Sequence, residues 1–237
     1  MKPSAKNFSK PQLTTFAIIS FVYFVTAVIA LYFLNPEYSL IRSIVGNYGL
    51  GGYEFLIAST FFSLGLGSLA LLISLRREIA QSVRSRIGLV FLGIWGVGMV
   101  MAGVFPANDG GSTVPHMTIV LLAGVFPFEV QATPETVFSF VHIFVILGSL
   151  FSLSLAAILL SQHFKHEEKW CSIYRYSLIL TLVMIAASIL LVLAIILIHT
   201  EFWFTFSLTI NAFAGLLWLF VIVIRLQFIV IKSVSKT

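Results

Sequence analysis

The stretch RIGLVFLGIWGVGMVMAGVFPAND, residues 86–109, ends a long apolar run with a Phe-Pro break and places a carboxylate just beyond it. A helix of about 20 apolar residues is long enough to cross a hydrocarbon core of about 30 Å. Pro106 cannot continue the interior of that helix, and Gly110-Gly111 lets the chain turn freely. The stretch therefore predicts a transmembrane helix that ends with Asp109 near one membrane surface.

The composition of the whole chain is that of a membrane protein. Of its 237 residues, 59% are hydrophobic and 10% are charged, whereas ordinary soluble domains carry roughly 25% charged residues. The mean hydropathy is +1.05. The basic residues form no stripe with interleaved aromatic residues, so nucleic acid is not an expected partner. The single cysteine, Cys171, excludes an internal disulfide and a cysteine-based zinc site.

Apolar runs of sufficient length occur six times, and they give the candidate spans 13–34, 53–75, 86–105, 136–161, 174–198 and 202–229. Lipid offers no hydrogen-bond partner to an unpaired backbone group, so each span must be helical. We therefore predict an all-α, polytopic membrane helix bundle with six transmembrane helices. It is expected to form one integral membrane domain over residues 1–237.

The distribution of Lys and Arg predicts the orientation of the chain. Of 14 basic residues, only Arg42 falls in a segment between spans on the side away from the N-terminus. The positive-inside rule then places both termini in the cytoplasm. The expected location is the plasma (inner) membrane, with membrane lipids as partners; a homo-oligomer or another membrane subunit remains an open alternative.

Three further segments carry specific expectations. The second and third spans are rich in Gly and Ser, which predicts close helix packing. Residues 117–128 form an apolar run of about 12 residues, too short to span, and this indicates a re-entrant or interfacial segment. The mixed charges of the inner loop 162–173 are typical of a solvated loop rather than a metal site.

Polar residues on the outer side are the candidates for a functional site. Asp109 lies at the end of the third span, and His142 lies about 10 Å inside the fourth. A histidine within a span usually faces the bundle interior and is a functional candidate, although it can also serve packing alone. Asp109 could orient His142, which would then act as a general base. These two are the candidate catalytic residues, and the candidate ligand-binding residues are Arg42, Asn47, Glu54 and Asn211.

A metal site is a weaker alternative on the same side. A catalytic zinc needs about three protein ligands, which His116, His142 and His199 with Asp109 could supply. No specific metal-binding motif supports this set, and haem is not expected because only His142 lies clearly within a span. Asn211, near the middle of the sixth span, favours an interhelical hydrogen bond over ligand binding.

Several short motifs occur in an order that resembles a known membrane family. They are Asn35-Pro-Glu-Tyr-Ser-Leu-Ile-Arg42, Val45-Gly-Asn-Tyr-Gly-Leu-Gly51, Gly103-Val-Phe-Pro-Ala-Asn-Asp109 and the later His142. Together they resemble the family catalogued as domain of unknown function 998. The resemblance implies a six-helix bacterial or archaeal membrane protein without an assigned activity. It also implies that Arg42, Asn47, Asp109 and His142 are polar groups of the family type, with Asn47 standing where Asp is frequent.

Three functions remain open on the sequence. An outward-facing polar pocket lined by Arg42, Asp109 and His142 would bind or process a lipid or small amphiphile, as a hydrolase or transferase if it is an enzyme. A non-catalytic accessory or scaffold subunit would use the same groups only to hold loops over the bundle. Passive transport of a neutral solute would need a continuous polar path through Asn211.

Overall fold

Six long helices make up almost all of the structure, a computed structural model that describes residues 10–34, 53–80, 82–104, 134–198 and 201–234. The helices are α1 Lys10–Leu34, α2 Glu54–Glu78, α3 Val83–Val104, α4 Pro134–Phe164, α5 Tyr174–Leu193 and α6 Glu201–Val234. All six are long and apolar enough to cross a membrane. The predicted class, a six-helix membrane bundle, is confirmed.

The observed helices extend beyond several of the predicted spans. α4 has 31 residues and α6 has 34, so at 1.5 Å per residue both are longer than a hydrocarbon core of about 30 Å. A short 3₁₀ turn, Cys171–Ile173, precedes α5, and five residues of π-helix, Ala194–Ile198, continue it. Hydropathy underestimates the length of such helices. An apolar run ends at the first polar residues, whereas the backbone hydrogen bonds of the helix continue past them.

The helices are arranged as a ring in the order of the chain. Each helix packs against the next one, and α6 closes the ring by packing against α1, with further contacts to α2 and α4. At the closure, the rings of Phe21 and Phe220 meet edge to face with centroids 5.7 Å apart. Thr14 of α1 also donates a hydrogen bond to the side-chain oxygen of Gln227 of α6.

The turns that carry the basic residues lie together at one end of the bundle, here called the basic end. The turn between α2 and α3 contacts the turn between α4 and α5, where Ala80 N donates to Glu167 Oε1 over 2.7 Å. Arg225 of α6 donates to the carbonyl oxygen of Lys169 in the same region. The up-and-down alternation predicted from the charges therefore agrees with the contacts of the described residues.

Glycine allows α2 and α3 to approach closely. A Cβ placed on Gly65 would lie 2.5 Å from the backbone nitrogen of Val100 and 2.7 Å from the carbonyl oxygen of Gly96. Gly103 is similarly close to α2, where its Cβ would lie 2.6 Å from the carbonyl oxygen of Ala58. The predicted close packing of the second and third spans is observed at these positions.

One hydrophobic core contains residues from all six helices, among them Phe21, Leu71, Leu92, Leu153, Leu191 and Trp218. Large apolar side chains also remain exposed on every helix, as expected where lipid covers the outer surface. The prediction of a single domain over residues 1–237 stays a prediction, because it includes segments outside the described ranges.

Candidate functional site

Most of the outer-side residues predicted from the sequence lie outside the described residues. These are Arg42, Asn47, Asp109, His116 and His199, together with the apolar segment 117–128. Glu54 is the first residue of α2. The pocket formed by Arg42, Asp109 and His142 therefore stays a prediction, and His142 is the member whose surroundings the structure describes.

His142 is buried inside the bundle, in the half of α4 away from the basic end. Its side chain is 5% exposed. The imidazole meets the ring of Phe61 on α2 edge to face, with centroids 5.9 Å apart. Phe61 in turn packs on Phe24 of α1, with centroids 6.1 Å apart. His142 thus faces the interior of the ring, as expected for a histidine within a span.

His142 differs chemically from every other buried side chain that the structure describes. Among those residues it is the one buried histidine; the other buried polar side chains are Ser, Thr and Asn. A neutral imidazole has one donor and one acceptor nitrogen, so it can bind a hydroxyl, carbonyl or phosphate group or transfer a proton. Binding or processing of a ligand at His142 stays a prediction.

The predicted metal site remains untested. The described residues contain no group of three or more His, Cys, Asp and Glu side chains that could hold a metal ion. Three of the four proposed ligands, His116, His199 and Asp109, lie outside those residues. A metal at His142 accordingly stays a prediction.

Asn211 is fully buried in the first half of α6 and contacts α5. Its Nδ2 donates to the carbonyl oxygen of Met184 over 3.1 Å and to Ser188 Oγ over 2.6 Å. Ser188 Oγ lies 3.4 Å from Ser154 Oγ of α4. The amide nitrogen therefore makes the interhelical hydrogen bonds expected of a polar residue within lipid. Binding of a ligand by Asn211 stays a prediction.

A second polar cluster joins the same three helices closer to the basic end. Ser177 Oγ accepts from Trp218 Nε1 over 2.8 Å and lies 2.5 Å from Ser161 Oγ. Thr181 Oγ1 lies 3.2 Å from Ser161 Oγ and donates to the carbonyl oxygen of Ser177. The sequence analysis missed this cluster. The signal was present, because Ser177, Thr181 and Ser188 lie on one face of α5 at spacings of four and seven.

Most residues of the segment 162–173 are exposed, in agreement with the predicted solvated loop, but a few of its side chains pack against the bundle. The side chains of His163 and Glu167 are 11% and 18% exposed and meet at 2.9 Å. His163 Nδ1 also lies 3.4 Å from Ser82 Oγ. The fully buried Trp170 stacks on Phe164, with ring centroids 4.7 Å apart. Charge composition alone could not show this, because the partners Ala80 and Ser82 are distant in sequence.

Comparison with known proteins identifies one family. The model of the family described as Protein of unknown function (DUF998) matches residues 18–225. This range covers most of the chain, from α1 to the later part of α6. Neither the curated proteins nor the solved structures contain a match to this chain.

Proposed function

The chain belongs to the DUF998 family of membrane proteins of unknown function, and from that premise we propose that it binds a lipid or small amphiphile in a polar pocket around His142. Arg42 and Asp109 are proposed to complete this pocket. Arg42 would bind an anionic or polar head group, and His142 would be its deepest polar contact. The apolar tail would lie against the bundle.

The burial of His142 carries the proposal. Ionisable residues within a membrane span are costly to bury, and they commonly mark functional sites. His142 lies beside Phe61 with a side-chain exposure of 5%. An amphiphile matches such surroundings, because it combines one polar group with a long apolar part.

The catalytic form of the proposal assigns a role to each residue. Asp109 accepts a hydrogen bond from one imidazole N–H and so orients the ring, while the other nitrogen of His142 removes a proton from water or a substrate hydroxyl. The reaction would be hydrolysis or group transfer at the head group. Asn47 and Glu54 are proposed as further polar contacts at the same end.

Lipid retention tests the proposal directly. Wild-type protein and His142→Phe are purified from the same membranes and the retained lipids are measured by native mass spectrometry. Phenylalanine preserves an aromatic contact with Phe61 but removes both ring nitrogens. Loss of one hydrogen bond to a polar head group, about 1.4 kcal/mol, lowers affinity by about tenfold. We expect a corresponding loss of one retained lipid species.

His166→Phe is the matched control, since His166 is exposed in the turn at the basic end. It should retain the same lipids as the wild type. Asp109→Asn tests the proposed partner of His142 and should weaken retention of the same species. If all variants retain identical lipids, the pocket is not a binding site, and the accessory or scaffold function becomes the better explanation.

A further inference from the structure

The amide oxygen of Asn211 is a buried hydrogen-bond acceptor that the described protein atoms leave without a donor. Asn211 is fully buried, and its Oδ1 has no hydrogen-bond partner among the described residues. Its Nδ2, in contrast, makes two hydrogen bonds to α5. These two bonds fix the orientation of the planar amide, because rotating it by half a turn would set the oxygen against the acceptor carbonyl of Met184.

The hydroxyl groups near Asn211 already donate their protons in other hydrogen bonds. Ser154 Oγ donates to the carbonyl oxygen of Leu150 over 3.0 Å. Ser188 Oγ accepts from Asn211, which leaves its proton for Ser154 Oγ at 3.4 Å. Ser207, one turn before Asn211 on α6, donates to the carbonyl oxygen of Trp203 over 2.7 Å. These three side chains therefore have no proton left for Asn211 Oδ1.

Asn211 lies deep in the bundle, so bulk solvent and the helix ends are too far away to supply a donor to its Oδ1. It lies ten residues after Glu201, the first residue of α6, which corresponds to about 15 Å along the helix. Its surroundings are apolar or carry neutral hydroxyl groups, and Leu153 and Met184 lie against Gly215 one turn further on. A charged group would be strongly disfavoured at this depth, whereas a neutral donor would not.

We propose that Asn211 Oδ1 is the acceptor of a binding site for one neutral hydroxyl group, supplied by water or a short-chain alcohol, at the seam of α4, α5 and α6. Buried water commonly satisfies polar groups that the protein leaves unpaired. The site is separate from the proposed pocket, because His142 contacts Phe61 of α2 whereas Asn211 contacts α5. It does not depend on the function proposed for His142.

The direct test is an experimental structure of the full chain in lipid, at a resolution that shows ordered water. The expected result is density for one hydroxyl oxygen about 2.7–3.1 Å from Asn211 Oδ1. The same sample is then prepared with 2-bromoethanol, whose bromine is located by anomalous scattering. A bromine peak beside Asn211 identifies a site that accepts alcohols, while hydroxyl density without bromine identifies a site for water.

Two variants test whether the hydroxyl group is held by Asn211 Oδ1 or only fills space between the helices. Asn211→Leu removes the acceptor and should abolish the density or the bromine peak. Ser188→Ala removes one partner of Nδ2 but retains Oδ1, so the hydroxyl density should remain. Empty space beside Oδ1 in the wild type, or a protein donor bonded to it, would overturn the proposal. A bromine peak that persists in Asn211→Leu would also overturn it, since it would show adventitious binding.

Discussion

At the scale of single residues, the structure shows which buried polar side chains join neighbouring helices. Trp218 Nε1 and the hydroxyl groups of Ser161, Ser177 and Thr181 bond to one another or to backbone carbonyls. His142 also lies in the interior, where its ring meets that of Phe61 edge to face. Sequence spacing predicts that such residues face inward, but it cannot show which of them bond to each other.

Glu167 provides a test at the same scale, because one of its oxygens accepts from both Ala80 N and His163 Nε2. Glu167→Ala should loosen the contact between the two turns. The loss of about 1 kcal/mol for one hydrogen bond corresponds to roughly fivefold faster hydrogen exchange at the Ala80 amide. Hydrogen-exchange mass spectrometry or NMR of the protein in nanodiscs measures this rate.

The neighbouring Glu168 supplies the matched control, since its side chain is exposed. Glu168→Ala makes the same chemical change one residue away and should leave the exchange of Ala80 unaltered. Equal acceleration in both variants would show that the charge of the turn, rather than the hydrogen bonds of Glu167, holds the two turns together.

At the scale of the helices, small residues determine how closely neighbours pack. In lipid, helix association depends on dispersion contacts and hydrogen bonds, because the lipid tails are as apolar as the side chains. The α2–α3 contact at Gly65 and Gly96 uses close backbone approach. The α2–α3 pair also has a buried polar bond, in which Trp95 Nε1 donates to Ser68 Oγ over 3.0 Å.

Gly65→Ala tests the close approach of α2 and α3. The added methyl group would overlap the backbone of Val100 and Gly96, so the two helices would have to separate. Overpacking of this kind typically costs about 1–3 kcal/mol. We expect a matching fall in the free energy of unfolding, measured by steric trapping in bicelles.

Gly148→Ala provides the opposite case on α4. A Cβ at this exposed position would meet no atom within 4 Å, and alanine is favoured over glycine in a helix by up to about 1 kcal/mol. This variant should be as stable as the wild type or more so. A fall in stability for Gly148→Ala equal to that of Gly65→Ala would exclude close packing as the cause.

At the scale of the whole molecule, the ring of six helices places the basic turns at one end and His142 in the opposite half. Arg225 of α6 reaches Lys169, and Ala80 reaches Glu167, so three separate parts of the chain meet at the basic end. The positive-inside rule predicts that this end lies in the cytoplasm. The side of the membrane on which this end lies does not follow from the fold, so it is measured separately.

Cys171 is a natural probe of sidedness, because it is exposed at the basic end. A membrane-impermeant maleimide should label it in inverted membrane vesicles and not in intact cells. A reporter in the segment between α3 and α4, Ser112→Cys in a Cys171→Ser background, should give the reverse pattern if the predicted alternation of the spans holds. Labelling of Cys171 in intact cells would reverse the predicted orientation and place the His142 half of the bundle on the cytoplasmic side.

Hydropathy and charge were sufficient to predict the membrane class, the number of helices and their alternation, and the short motifs were sufficient to indicate the family. These properties are local, since about 20 apolar residues in lipid have to form a helix whatever surrounds them. Contacts between distant parts of the chain decide instead the pairing of Glu167 with Ala80, the cluster at Trp218 and the surroundings of Asn211, whose oxygen has no partner among the described residues. Only the packed arrangement of the helices decides them, because it sets which polar atoms meet after water has been excluded.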